Sequence, residues 1–250
     1  HPMLGKALIA IGIRIFGDQA WGWRIFPAVA GVGTLFAVYG LATLLLESRR
    51  WGVGAATLFM MAGTPIPNSR IAMLHAVMLL WMLLSLWAFC QHAVGRRWSR
   101  RKALLWCGIF FGLALSTKWI SLLTLELLAL CVLVLFKEAH DRRTLAGEVL
   151  IALLVIPLAI YICVQTTLWL GGDPGWSSVW RHQTYMLSYH TSLNATHPYA
   201  SRWVTWPLML RPIWYYFHEE AGRVSGIVCI GNPAVFWMIP AGIGYAIWRY

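Results

Sequence analysis

The chain has 250 residues, of which 59% are hydrophobic and 12% charged, with 16 Trp and a formal net charge of +11. A soluble domain carries about a quarter charged residues, so this composition marks a membrane chain and excludes a soluble class. The basic residues form short clusters between apolar runs, as positive-inside anchors do, which argues against a nucleic-acid partner.

In chain order, the first predicted element is an amphipathic helix over 3–16. Leu4, Leu8, Ile11 and Ile15 share one face and Gly17-Asp18 ends it, so it reads as a helix lying on the outer membrane surface. A spanning helix needs roughly 20 apolar residues. Segments 25–46, 53–65, 71–93, 146–170 and 233–248 qualify or nearly do, and the run 103–136 is too long for one span. Lys118 divides that run, which reads as two short helices, 103–117 and 119–136, turning at Ser116-Thr117-Lys118. The expected fold class is therefore all-α, a polytopic membrane protein with about seven transmembrane helices. The cluster Pro65-Ile66-Pro67-Asn68 is read as a breaker.

Arg49 and Arg50, then the basic residues from Arg96 to Lys102, then Lys137, Arg142 and Arg143, and finally Arg249 fall in alternate loops. All then lie on one side, the cytoplasm. The expected organisation is a transmembrane region over 1–170, an outer aromatic-rich loop over 171–230, and the start of a further transmembrane region over 231–250.

Lys6, Arg24, Arg70 and Lys118 lie on the opposite side, against the charge bias. Each could simply snorkel toward headgroups. Four from separate segments at one membrane level suggest instead an anion site, and the phosphate of a lipid carrier is the anion found at that depth. Glu126 is the one acidic residue at evident membrane depth, read either as functional or as a paired structural group. Between 171 and 230 the density of Trp and Tyr suits an interfacial belt or platforms for sugar rings and polyprenyl chains. His182, His190 and His197 form no recognised metal pattern. The five cysteines, Cys90, Cys107, Cys131, Cys163 and Cys229, contain no CxxC pair, so neither metal nor other cofactor is expected.

Several strings carry a resemblance. They are His1-Pro2-Met3-Leu4-Gly5-Lys6, Gly22-Trp23-Arg24-Ile25-Phe26-Pro27-Ala28, Ser69-Arg70-Ile71-Ala72-Met73-Leu74 and Thr117-Lys118-Trp119. His197-Pro198-Tyr199-Ala200-Ser201, Trp206-Pro207-Leu208-Met209-Leu210-Arg211-Pro212 and Ile230-Gly231-Asn232-Pro233 complete the set. In this order they resemble the protein O-mannosyltransferase family in its bacterial form.

The resemblance implies the large membrane glycosyltransferase fold, called GT-C, in a multi-pass cell-membrane enzyme. Such an enzyme moves mannose from a polyprenyl-phosphate-mannose to Ser or Thr hydroxyls of secreted proteins, at a site facing the outer side. It implies donor-phosphate roles for Arg24, Arg70 and Lys118, and substrate-binding roles for His1, Lys6, His197, Trp206 and Arg211. The family's catalytic acidic pair belongs upstream of His1, so the 250 residues alone are expected to be inactive. Asp18, Asp173, Glu219 and Glu220 lie on the outer side but in none of the matching strings. Two positions depart from the pattern: Met3 stands where Pro is usual and His75 where Asp is usual. The alternatives are another polyprenyl-phosphate-sugar transferase acting on lipid or glycan, and a transporter or scaffold. Repeat symmetry, common in transporters, is not visible.

Overall fold

A computed structural model describes residues 1–95, 97–197 and 199–249; of residues 126, 130, 131, 134, 137, 138 and 249 it describes the backbone alone. The side chain of Glu126 therefore lies outside the described residues. The elements in order are α1 (Leu4–Phe16), α2 (Ala20–Leu45), α3 (Arg49–Met61), α4 (Pro65–Arg70), α5 (His75–Ala93), α6 (Arg100–Leu115), α7 (Leu122–Glu138), α8 (Arg142–Leu150), α9 (Ile156–Gln165), α10 (Trp176–Ser192), β1 (Ile213–Glu220), β2 (Arg223–Cys229), α11 (Pro233–Phe236) and α12 (Met238–Arg249).

Among the described residues three helical segments are long and apolar enough to cross a membrane: Ala20–Leu45, His75–Ala93 and Arg142–Gly171. The last joins α8 and α9 through a π-helical turn at Ile151–Val155. Pro157 explains that turn. Its ring cannot donate a helical hydrogen bond and crowds the carbonyl four residues earlier, and widening the preceding turn relieves both. The other expected spans are shorter, with 13 residues in α3, 16 in α6 and 17 in α7.

Small residues let these helices approach. In Gly108-Ile109-Phe110-Phe111-Gly112 of α6 the two glycines are four apart on one face. A Cβ at Gly108 would lie 2.2 Å from the Ala152 carbonyl oxygen, and one at Gly112 2.9 Å from Pro157 Cα. Around this crossing Ala88, Phe89, Leu104, Cys107, Leu128 and Ala152 form the main buried cluster. Ala30, Ala76 and Val77 make a smaller one between α2 and α5. The outer surface is apolar as well, with Val29, Phe36, Leu133 and Leu154 exposed, the distribution expected of a bundle whose solvent is lipid.

The bundle has two chemically distinct ends. At one, Glu148 of α8 accepts from Arg100 at 2.6 Å and Arg101 at 2.8 Å, and the end of α2, start of α3 and end of α5 surround a polar cavity. At the other, the starts of α1 and α5 meet the turn after α6.

Three expectations need amendment. The Pro65 cluster does not break the chain into a loop but opens α4. Pro65 stands at its first position and Pro67 at its third, where backbone N–H groups have no helical partner to lose. The stretch after Gly171 is ordered in part as α10. The all-α reading also fails locally, because β1 and β2 form an antiparallel hairpin. Its two-residue turn, Ala221-Gly222, has φ of 48° and 75°, the backbone twist a tight hairpin requires. A bulge at Tyr215 turns that side chain toward α4, where its hydroxyl donates to Asn68 Oδ1 at 2.9 Å. Beyond the hairpin, Asn232 donates from its backbone to Ala62 O at 2.8 Å and from its side chain to Met61 O at 2.9 Å. Gly63 beside it has φ 82° and is closely approached by the Ile230 carbonyl, so only glycine serves there.

Candidate functional site

The end opposite the basic clusters is organised by the start of α1. The Leu4 N–H donates to the Ser116 carbonyl at 3.0 Å, Pro2 is fully buried, and a Cβ at Gly5 would come 2.6 Å from Leu74. The helix start is thus wedged between the segment before α5 and the turn after α6. That turn is the hairpin expected at Ser116-Thr117-Lys118. The Thr117 and Lys118 N–H groups both return to Ala114 O, and Lys118 then becomes extended, with φ −154° and ψ 138°.

Lys118 Nζ lies 3.0 Å from His75 Nε2. An ammonium can only donate, so Nε2 accepts and the ring proton resides on Nδ1. That Nδ1 is buried and has no partner among the described residues. Burial pushes the Lys118 ammonium below the ordinary lysine range.

α10 packs beside the segment that follows Lys118. Gln183 accepts from the Tyr161 hydroxyl at 2.5 Å, and that hydroxyl accepts from Trp119 Nε1 at 2.9 Å. Seven residues on and so on the same helical face, the His190 ring lies 5.9 Å from the His1 ring and 6.4 Å from that of Trp119. His182 is held below its usual value, first by burial and then by the Lys6 charge. Lys6, Lys118, His1, His75, His182 and His190 therefore gather in one region. Three of the four acidic groups of this side are engaged elsewhere. Asp18 accepts from Trp23 Nε1 at 2.7 Å, Asp173 pairs with Arg181 at 2.8 Å, and Glu220 faces His218 at 3.5 Å.

Arg24 and Arg70 belong to a different recess, of about 380 Å³, lined also by Ile66, Pro67 and the Gly226–Val228 stretch of β2. Neither guanidinium has an ion-pair or hydrogen-bond partner among the described residues. The remaining candidates knit the segment after α10 to itself. His197 Nδ1 accepts from the Tyr199 N–H at 3.1 Å and Trp206 Nε1 donates to Ser201 Oγ at 3.0 Å. Arg211 donates to the Ala200 carbonyl at 2.7 Å and lies over the Tyr199 ring at 5.4 Å. Among the described residues no three His, Cys, Asp or Glu side chains are grouped to hold a metal ion.

The expected cations thus fall into two sets, Lys6 with Lys118 and Arg24 with Arg70. Sequence reasoning marked His75 only as a departure from the family pattern, and did not anticipate that His182 and His190 join the first set. The available signal was the seven-residue spacing of Gln183 and His190 within a segment read as loop.

The model of the dolichyl-phosphate-mannose-protein mannosyltransferase family matches residues 9–168, and that of the C-terminal four-helix membrane region of protein O-mannosyltransferases matches 175–249. The chain is 26% identical to polyprenol-phosphate-mannose–protein mannosyltransferases of Mycolicibacterium smegmatis and Corynebacterium glutamicum, over its whole length and 60% of theirs. An undecaprenyl phosphate-α-4-amino-4-deoxy-L-arabinose arabinosyl transferase of Pseudomonas fluorescens is 30% identical over 64% of this chain and 29% of its own. Among solved structures, the Saccharomyces cerevisiae protein O-mannosyltransferase Pmt1-Pmt2 complex bound to the sugar donor superposes with a TM-score of 0.56. The match has 22% identity and covers 66% of this chain and 26% of that one, a likeness of fold. Matched over more than half its length by the family's own model, the chain belongs to the dolichyl-phosphate-mannose-protein mannosyltransferase family.

Proposed function

We propose that the chain is the greater part of a multi-pass membrane enzyme that transfers mannose from a polyprenyl-phosphate-mannose to Ser or Thr hydroxyls of secreted proteins. The carrying observation is the Lys118–His75 pair, which shares the His1 amine as a neighbour with Lys6 and has no described carboxylate bonded to it. As the acceptor oxygen attacks the anomeric carbon, the bond to the carrier breaks and negative charge grows on the departing phosphate. Cations already fixed at that position stabilise the charge more in the transition state than in the bound donor, and so raise the rate. The Nδ1–H of His75, unpartnered among the described residues, supplies a further donor of the same sense. Arg24 and Arg70 in their shared recess are the second anion-binding element, reaching the same donor from the α4 side. A carboxylate takes the hydroxyl proton.

The reading includes an orientation. The arginine-rich end faces the cytoplasm, seven helices cross the bilayer, and the site opens to the outer side, where His1, His197, Trp206 and Arg211 meet carrier or acceptor. Residues 1–170 form the donor-handling transmembrane region, 171–230 its outer cover, and 231–250 the beginning of a second transmembrane region.

The test is transfer of radiolabelled mannose from a polyprenyl-phosphate donor to a Ser/Thr peptide by the full-length protein in liposomes. Label in the peptide supports the reading, and failure of an active preparation to label any protein acceptor sinks it. A second reading, sugar transfer from the same kind of carrier to a lipid or glycan, is motivated by the arabinosyl transferase of Pseudomonas fluorescens, which is 30% identical over 64% of this chain. Label in the lipid rather than the peptide fraction would establish it.

A further inference from the structure

A polar cavity lies at the opposite end of the bundle from Lys118 and takes no part in the proposed transfer. It has a volume of about 590 Å³ and lies among the end of α2, the start of α3, the end of α5 and the segment leading to α6. Arg49 and Arg97 line it, together with Thr43, Glu47 and Gln91. Neither arginine has an ion-pair or hydrogen-bond partner among the described residues, whereas Arg100 and Arg101 in the same region are both paired with Glu148. The Thr43 hydroxyl is buried and likewise unpartnered. The cavity thus offers two guanidiniums and a hydroxyl to one anion, with the Glu47 carboxylate at the rim to accept a proton from a neighbouring hydroxyl.

Tyr39 lines this cavity and also a second one, an almost wholly apolar groove of about 330 Å³ between α2 and α3. Its other walls include Leu35, Phe36, Val53, Ala56 and Met60. Phe36 is 71% exposed and Val53 57%, so the groove opens onto the lipid-facing side of the bundle. A polar cavity with unpaired cations that shares a wall residue with an apolar groove on the membrane-facing surface presents the two faces an amphiphile needs. Its chemistry calls for a phosphate ester at one end and hydrocarbon at the other.

We propose that these joined cavities bind a glycerophospholipid of the leaflet at the basic end, with its phosphate on Arg49 and Arg97 and an acyl chain along the α2–α3 groove. A soluble organophosphate offers the same phosphate but leaves the groove unfilled. The guanidinium fork suits phosphate oxygens better than a lysine would, and basic pockets between helices at this membrane level are the kind that retain lipid headgroups. Bound there, the lipid would brace α3, which with 13 residues is shorter than the roughly 20 that a span ordinarily needs.

The experiment is native mass spectrometry of the purified full-length protein, titrated with dioleoyl phosphatidylglycerol, with glycerol 1-phosphate in a parallel arm. The expected result is one retained lipid per chain, weakened on the order of tenfold or more in R49Q/R97Q. R49Q alone should weaken retention as well, whereas R50Q, which removes one charge next door and outside the cavity, should leave it within about twofold of the parent. A56W, which fills the groove without touching the cations, should weaken the lipid too. Equal binding of glycerol 1-phosphate with no effect of A56W would overturn the lipid assignment. Loss in R50Q equal to that in R49Q would reduce the site to general surface charge and overturn it as well. Because transfer activity is not the readout, failure here leaves the mannosyltransferase reading standing, and the reverse also holds.

Discussion

Lys118 and His75, 43 residues apart in sequence, meet at 3.0 Å with the lysine as donor. An imidazole cannot hold an ammonium charged as a carboxylate can, and burial pushes Lys118 below the usual lysine value of 10.5. The alkaline limb of the activity profile should therefore fall below that value. His75→Asp should move the limb upward by returning a counter-charge, and Lys118→Met should lower kcat/KM by roughly 2–4 kcal/mol. Identical alkaline limbs in parent and His75→Asp would separate the pair from catalysis.

Arg24 and Arg70 share one recess. If both grip a phosphate through paired donors, Lys in either place should lower transfer and Ala lower it further, by roughly 2–4 kcal/mol for a contact that tightens in the transition state. Membrane insertion should be unchanged. Turnover within about twofold of the parent for Arg24→Gln and Arg70→Gln would leave them only an anchoring role.

His182 belongs to α10 and has Lys6 as a cationic neighbour. Its folded value is depressed below 6.5, so the unfolded chain binds the proton more readily. The stability contribution is present above pH 6.5 and is lost as pH falls through the folded value. Thermal melts of the detergent-solubilised protein should show Tm dropping on acidification below 6.5, with a shallower drop in His182→Gln. Parallel slopes in the two proteins would contradict this.

The α6 crossing gives a packing test. Ala at Gly108 would bring a methyl group 2.2 Å from the Ala152 carbonyl oxygen and force the helices apart, an overpacking cost of about 1–3 kcal/mol. Nothing lies within 4 Å of a Cβ at Gly54 or Gly147, so Ala there should stabilise by about 0.5–1 kcal/mol through helix propensity alone. The Tm order Gly54→Ala above parent above Gly108→Ala checks the packing, and a Gly108→Ala protein as stable as its parent would contradict it.

Orientation is open to chemical labelling. With native cysteines replaced, His140→Cys beside the arginines should resist an impermeant thiol reagent in intact cells, and Ser192→Cys at the end of α10 should react. Both positions are exposed, so access is not limited by the fold itself. The reverse pattern would invert the proposed topology.

The helices and the turn at Lys118 were legible in the sequence because a single polar residue in a long apolar run leaves little choice of turn. The hairpin was not. Its turn is Ala221-Gly222 in place of the usual Asn-Gly, and the bulge at Tyr215 spoils the alternation of β1. α10 was hidden by its aromatic residues, which suit an interfacial belt as well as a helix. The four outer cations were identifiable against the charge bias, but their division into two sets depends on α1 wedging at Ser116 and on β2 lining the recess that Arg24 and Arg70 share. These are long-range contacts that periodicity cannot reveal. The unpaired state of Arg49 beside the paired Arg100 is equally invisible, since both occur in basic clusters of the same kind.

The bonds from Asn232 to Met61 and Ala62 also bear on the order of assembly. The two carbonyls at the end of α3 are spoken for by a residue 170 positions later. During synthesis the first three helices enter the bilayer well before that residue exists, and ring closure over so long a separation is slow. The wall carrying α4 and Arg70 is therefore the last part of the bundle to lock. A ribosome-stalled chain ending before Asn232 would hold its helices in the membrane while this corner stayed open to proteases, and release of a few more residues would close it.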